Sequence, residues 1–146
     1  MMKEGVRYSG IPSQEELNSS FGIPSEERMK KGRVAVIECV QEIPCNPCEG
    51  TCPFGAITVG NPITNLPHLN EDKCTGCGNC VAMCPGQAIF LINYDYSETE
   101  AEVSFPFEYL PVPEKGTVVD AVNRAGETVC KGIVTNVRNP LAYKKI

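Results

Sequence analysis

Apolar residues in this chain come in short runs rather than in long periodic stretches. Val34, Ala35, Val36 and Ile37 form one run, and residues 56–59 and 88–92 form two more. Runs of four or five apolar residues fit buried strands, which are shorter than helices. Residues 66–69 supply a fourth, weaker strand ahead of a cysteine-rich loop. Residues 1–32, by contrast, are polar and say one short phrase twice: Gly10, Ile11, Pro12, Ser13 and then Gly22, Ile23, Pro24, Ser25, each followed by glutamates. Ser13 with Glu16 has the form of a capping box, so each phrase either opens a short helix or makes a solvated turn on an extended arm, which could lie across a partner subunit. Beyond Tyr96 an acidic stretch leads to Phe105, Pro106 and Phe107 and then to Pro111, Val112 and Pro113, where the prolines exclude a helix. Residues 117–122 and 128–137 read as strands around the turn Asn123, Arg124, Ala125, Gly126, giving a hairpin or a small barrel. The expected organisation is thus a polar arm (1–32), a central domain (33–96) and a small β module (97–146).

The central segment repeats itself. Cys45, Cys48, Cys52, Pro53, Ala56 and Ile57 recur 32 residues later as Cys77, Cys80, Cys84, Pro85, Ala88 and Ile89. Each half begins with a strand, passes through a cysteine loop and a helical turn, and ends in a second strand. Two such halves facing each other make a small α+β unit. The chain has nine cysteines, and eight of them lie between residues 39 and 84, a clustering that points to metal rather than to a disulfide framework.

In the second half the spacing is Cys74-x2-Cys77-x2-Cys80-x3-Cys84-Pro85. Three closely spaced thiolates on a tight loop can hold three corners of one cubane, and in this pattern the fourth cysteine serves the other cluster. Gly76 and Gly78 suit a loop whose backbone must come close to sulfide and donate N–H bonds to it. Residues 33–93 resemble a bacterial-type ferredoxin with two 4Fe-4S clusters. The resemblance implies a ferredoxin-like fold in which Cys74, Cys77, Cys80 and Cys52 bind one cluster, while Cys45, Cys48 and Cys84 contribute to the other. The first half departs from the pattern, since Glu42 stands opposite Cys74 and the spare thiol, Cys39, comes three residues early. A bulge of Glu42, Ile43 and Pro44 would bring Cys39 back to the iron, which makes it the expected fourth ligand. Glu42, Cys130 or a three-iron centre are the alternatives. Cys130, on a predicted strand, reads as a small buried hydrophobe, and His68 as an ordinary strand or surface residue.

Composition narrows the class further. At 146 residues the chain is one small domain with extensions rather than a large enzyme. Its formal charge of -5 disfavours a nucleic-acid partner, and cluster thiolates would make it more negative still. There is no apolar leader at residues 1–10 and no run of roughly 18 apolar residues that would span a membrane, so a cytoplasmic protein is expected. A four-cysteine zinc site is an alternative, but it leaves Cys52, Cys74 and Cys84 without a role. A cluster that senses an oxidant is another, open only to the irregular first centre. Ile43, Val59, Val81, Ile89 and Phe90 surround the cysteines in sequence and favour low potentials. The arm and β module resemble the additions of small iron-sulfur subunits in multisubunit flavin-dependent dehydrogenases. Since no Gly-x-Gly-x-x-Gly follows a strand, the flavin and any catalysis would belong to the partner. The expected role is electron transfer by a non-catalytic subunit, with a stand-alone ferredoxin as the alternative.

Overall fold

The computed structural model describes residues 4–141. The chain divides into two compact units, Met1–Pro106 and Phe107–Ile146. The first unit therefore takes in the polar N-terminal segment as well as the cysteine repeat, and it ends ten residues beyond the expected boundary at residue 96.

The strand pairing of this first unit joins the two halves of the repeat. Strand β1 (Val34–Ile37) opens the first half and pairs antiparallel with β4 (Ile89–Asn93), which closes the second, in the register Val34 to Ile92 and Ile37 to Ile89. Conversely β2 (Ile57–Thr58), closing the first half, pairs with β3 (His68–Leu69), which opens the second. Each half thus completes its sheet with a strand from the other. All four residues of β1 are buried, and Val34, Ile37 and Ile89 form the most enclosed part of a core that Ile57, Leu69, Val81 and Leu91 extend. Burying such side chains stabilises a fold by about 1.5–3 kcal/mol each. Between the strands lie two one-turn helices, α4 (Pro47–Thr51) and α5 (Asn79–Met83), which pack against one another. Pro47 at the start of α4 has the φ a first turn needs, and each helix stops just before a Cys-Pro pair, because the residue preceding proline is driven out of the helical region.

The N-terminal segment is not an extended arm. It forms three short helices, α1 (Val6–Ser9), α2 (Gln14–Asn18) and α3 (Glu26–Met29), on the surface of its own core. The capping box at α2 is complete: Ser13 Oγ accepts from the Glu16 N–H, and the Glu16 carboxylate accepts from the Ser13 N–H at 2.8 Å. Those backbone bonds hold the Glu16 carboxyl below the usual carboxylate range. Ser25 caps α3 in the same way, accepting from the Arg28 N–H. Between the helices, Gly22 O accepts from Ile37 N and Phe21 O from Leu69 N, each at 2.9 Å, so the segment covers the edges of β1 and β3.

A further strand, β5 (Glu102–Ser104), pairs with β4 on the side away from β1. It starts at the end of the acidic stretch that follows Tyr96, where no strand was expected, and its three residues carry no alternation long enough to mark one. Beside its ladder with β4, a bidentate ion pair ties β5 down: the Arg33 guanidinium donates to Glu102 Oε2 at 2.7 Å and Oε1 at 2.9 Å. In the second unit β6 (Val118–Val122) and β7 (Thr128–Ile133) form a two-stranded hairpin around the turn at residues 123–126, with a bulge beside Val122. Cys130 lies on β7 and is exposed, so it is not the buried hydrophobe that a lone strand cysteine suggests.

Candidate metal centres

The eight clustered thiols are distributed over two cavities. Cys52, Cys74, Cys77 and Cys80 line the first, together with Ala35, Phe54, Ile57, Leu91 and the loop backbone of Gly76 and Gly78. Cys39, Cys45, Cys48 and Cys84 line the second, with Ile37, Ile43, Val59, Pro67 and Ile89. The cavities are alike in size, and each is partly open to solvent. Among the described residues no carboxylate or imidazole side chain lines either one; the polar side chains are those of Thr75 and Asn79 in the first and Gln41 and Asn65 in the second.

Local structure explains the crossing of Cys52 and Cys84. Each stands at the C-terminal end of its one-turn helix in extended conformation, with ψ of 106° at Cys52 and 111° at Cys84, so that it leaves the loop that holds the other thiols of its half. Each is also fixed by a backbone donor four residues on: Ala56 N–H donates to Cys52 Sγ at 3.3 Å, and Ala88 N–H to Cys84 Sγ at 3.4 Å. Cys74 Sγ accepts from the Ala35 N–H of β1 at 3.4 Å. Gly76 is buried at φ +68°, and a Cβ there would stand 2.5 Å from the Arg33 carbonyl, so only glycine lets this loop close against the strand.

Burial pushes the Cys80 thiol up to about 12, with the neighbouring Cys74 adding to the shift. Burial likewise raises Cys48 to about 11 and lifts Cys39, where Cys84 contributes as well. Without a metal these thiols stay protonated at neutral pH; a metal that binds them must displace the protons. Among the described residues no three His, Cys, Asp or Glu side chains converge as they would on a single ion. A zinc held by four thiolates would draw their sulfurs to roughly 3.8 Å of one another. The donors fit a larger thiolate-bound group instead: four thiols around each cavity, apolar walls, and N–H groups directed at sulfur.

Of the residues singled out from sequence, Cys39 lines the second cavity with its three partners, whereas Glu42 is exposed and lines neither. Ile43, Val59 and Ile89 line the second cavity, but Val81 and Phe90 line neither. His68 is exposed on β3 and stacks on Phe21 at 5.5 Å between ring centroids. Sequence reasoning missed Arg28 and Glu71, which bind the N-terminal segment to the Cys74 loop. Nothing in their spacing marks them, since both lie in polar stretches.

Residues 67–90 match the family described as a 4Fe-4S binding domain. The translation initiation factor rli1 of Schizosaccharomyces pombe is 32% identical over 123 residues, which is 71% of this chain and 21% of that protein. A subunit of the ion-translocating oxidoreductase complex of Methanosarcina acetivorans is 49% identical over 49 residues, 34% of this chain and 17% of its own. The polyferredoxin-like subunit of an aliphatic sulfonate oxidoreductase from Pyrococcus furiosus is 45% identical over 49 residues, 34% of this chain and 27% of its own. The chain thus spans only about a quarter or less of the length of these relatives. No solved structure matches at a significant level. No helix among the described residues is long and apolar enough to cross a membrane. Residues 67–90 are an iron-sulfur segment of the 4Fe-4S ferredoxin type.

Proposed function

We propose that the protein holds two 4Fe-4S clusters and transfers electrons as a small subunit of an oxidoreductase complex. The observation that supports this most directly is the crossed distribution of thiols, four to each of two cavities, with Cys52 and Cys84 exchanged between the halves. In this reading Cys52, Cys74, Cys77 and Cys80 hold one cluster and Cys39, Cys45, Cys48 and Cys84 the other. Bound there, each cluster supplies a centre that takes up and gives back one electron without any bond to substrate. The chain's own part is to supply thiolates, to donate N–H bonds to sulfur from Ala35, Ala56 and Ala88, and to keep water away with Ile37, Ile57, Ile89 and Leu91. Anaerobically prepared protein should carry about eight iron and eight sulfide per chain. Colourless protein with zinc would overturn this function, and about seven iron would make the centre of Cys39, Cys45, Cys48 and Cys84 a three-iron form.

The partner in this proposal is a flavoprotein dehydrogenase subunit. It rests on the plan of the chain, a cysteine repeat with a second unit appended, and on relatives that are named as subunits of oxidoreductase complexes. Protein from its native source should elute with a flavin-containing chain in size exclusion; elution as a monomer would favour a stand-alone ferredoxin. The match to a translation factor over 71% of this chain favours a second reading, in which the clusters serve structure alone. Reversible one-electron reduction by dithionite separates the two, since a purely structural role needs none.

A further inference from the structure

Arg28, in the last turn of α3, spends its guanidinium on backbone carbonyls. Nε donates to Glu71 O at 3.1 Å, Nη1 to Gly32 O at 3.2 Å, and Nη2 to Arg33 O at 3.2 Å and to Cys74 O at 2.6 Å. Beside it, the Glu71 carboxylate accepts from the Ser25 N–H at 2.5 Å and from Ser25 Oγ at 2.8 Å. One turn of helix is therefore clamped onto the loop that begins the Cys74 run. Cys74 is held at both ends, its carbonyl by Arg28 and its sulfur by the Ala35 N–H.

The clamp also places a permanent positive charge one residue's length from a thiol of the first cavity. Of the other charges near this loop, the Arg33 guanidinium is paired with Glu102. The loops of the other centre differ. From residue 34 to residue 66 the chain has no lysine or arginine, but it has carboxylates, Glu42 and Glu49 among them. A cation close to one thiolate set favours the extra electron there, and carboxylates near the other set oppose it.

We propose that Arg28 is a positioning residue of the centre formed by Cys52, Cys74, Cys77 and Cys80. It fixes the Cys74 loop and raises the reduction potential of that centre above that of the centre of Cys39, Cys45, Cys48 and Cys84, so that an electron comes to rest at the Cys74 end. The inference rests on the two-cluster reading above, and iron content separates the two: absent iron defeats that reading, whereas full iron without the potential gap defeats this one alone.

The test is a potentiometric titration of the anaerobic holoprotein with dithionite, followed by electron paramagnetic resonance. The signals are assigned with a Cys77→Ser variant. Wild-type protein should reduce in two steps, the Cys74 centre first. Arg28→Gln should lower that step by about tenfold in its equilibrium constant, about 59 mV for one electron, and leave the other step where it is. Arg28→Lys, which keeps the charge but not the fork, should fall between the two. Simultaneous reduction of both centres in the wild type would overturn the proposal, as would an equal shift of both steps in Arg28→Gln. If Arg28→Gln does not fold, the wild-type order and Arg28→Lys decide by the same criteria.

Discussion

At the scale of single residues, the function depends on which thiol belongs to which centre. Cys52 lies in the first half of the repeat but lines the cavity of Cys74, Cys77 and Cys80. Cys52→Ala should therefore damage the resonance of that centre, and loss confined to the other one would show the crossing to be wrong. Cys39 lines the second cavity, whereas Cys130 is exposed on β7. Cys39→Ser should lower iron content and alter the signal of the centre that Cys39 shares with Cys45, Cys48 and Cys84, and Cys130→Ser should leave iron unchanged. Equal iron in wild type and Cys39→Ser would remove Cys39 from the site. The same thiols set a pH dependence. Because burial raises Cys48 to about 11 and Cys80 to about 12, a proton competes with iron more strongly there than at an ordinary thiol. Acidification should then weaken iron retention. Against a chelator under anaerobic conditions, visible absorbance should be lost faster at pH 6 than at pH 8, and equal rates would mean that thiol protonation plays no part.

At the scale of elements, what could be read from the sequence was whatever the repeat carries. The strand at residues 34–37 lies where the apolar run puts it, β2 and β3 lie within the runs at 56–59 and 66–69, and β4 covers most of the run at 88–92 and extends one residue beyond it to Asn93. That two like halves face each other was legible for the same reason; that each is closed by a strand of the other was not. The hairpin around residues 123–126 was legible from its turn. What was not legible depends on contacts between distant residues. Strand β5 is held by the pair of Arg33 with Glu102, 69 positions apart, and α3 by Arg28 and Ser25 on residues 71–74. Polar composition hid the packing of the N-terminal segment, whose tie to β1 is the backbone of Gly22 rather than a side chain. That tie is open to test. A Cβ on Gly22 would stand 2.3 Å from the Ile37 carbonyl, and backbone cannot swing aside as a side chain can. Gly22→Ala should cost about 1–3 kcal/mol, measured as a fall in thermal midpoint of the holoprotein. An unchanged midpoint would mean that the segment does not rest on β1.

At the scale of the whole molecule, the two units differ in how they can be stable. The first has a core of strands from both halves, with the thiols around it. In the second no described residue is buried, and Val118, Val122, Val129 and Ile133 are all more than half exposed on a two-stranded ribbon. An isolated hairpin of this kind is marginally stable at best, because it has no second layer against which to bury its apolar side chains. All eight thiols that line the cavities lie before Pro106, as do Ala35, Ala56 and Ala88 with their N–H donors. The units should therefore separate cleanly in their need for each other. A chain ending at Pro106 should still take up about eight iron and keep both resonances. A peptide of residues 107–146 should show the circular dichroism of an unfolded chain. If truncation at Pro106 removed one centre, a ligand such as Cys130 would have to come from the second unit, and Cys39 would lose its role. If the peptide folded by itself, the ribbon would have to have a source of stability other than burial within its own 40 residues.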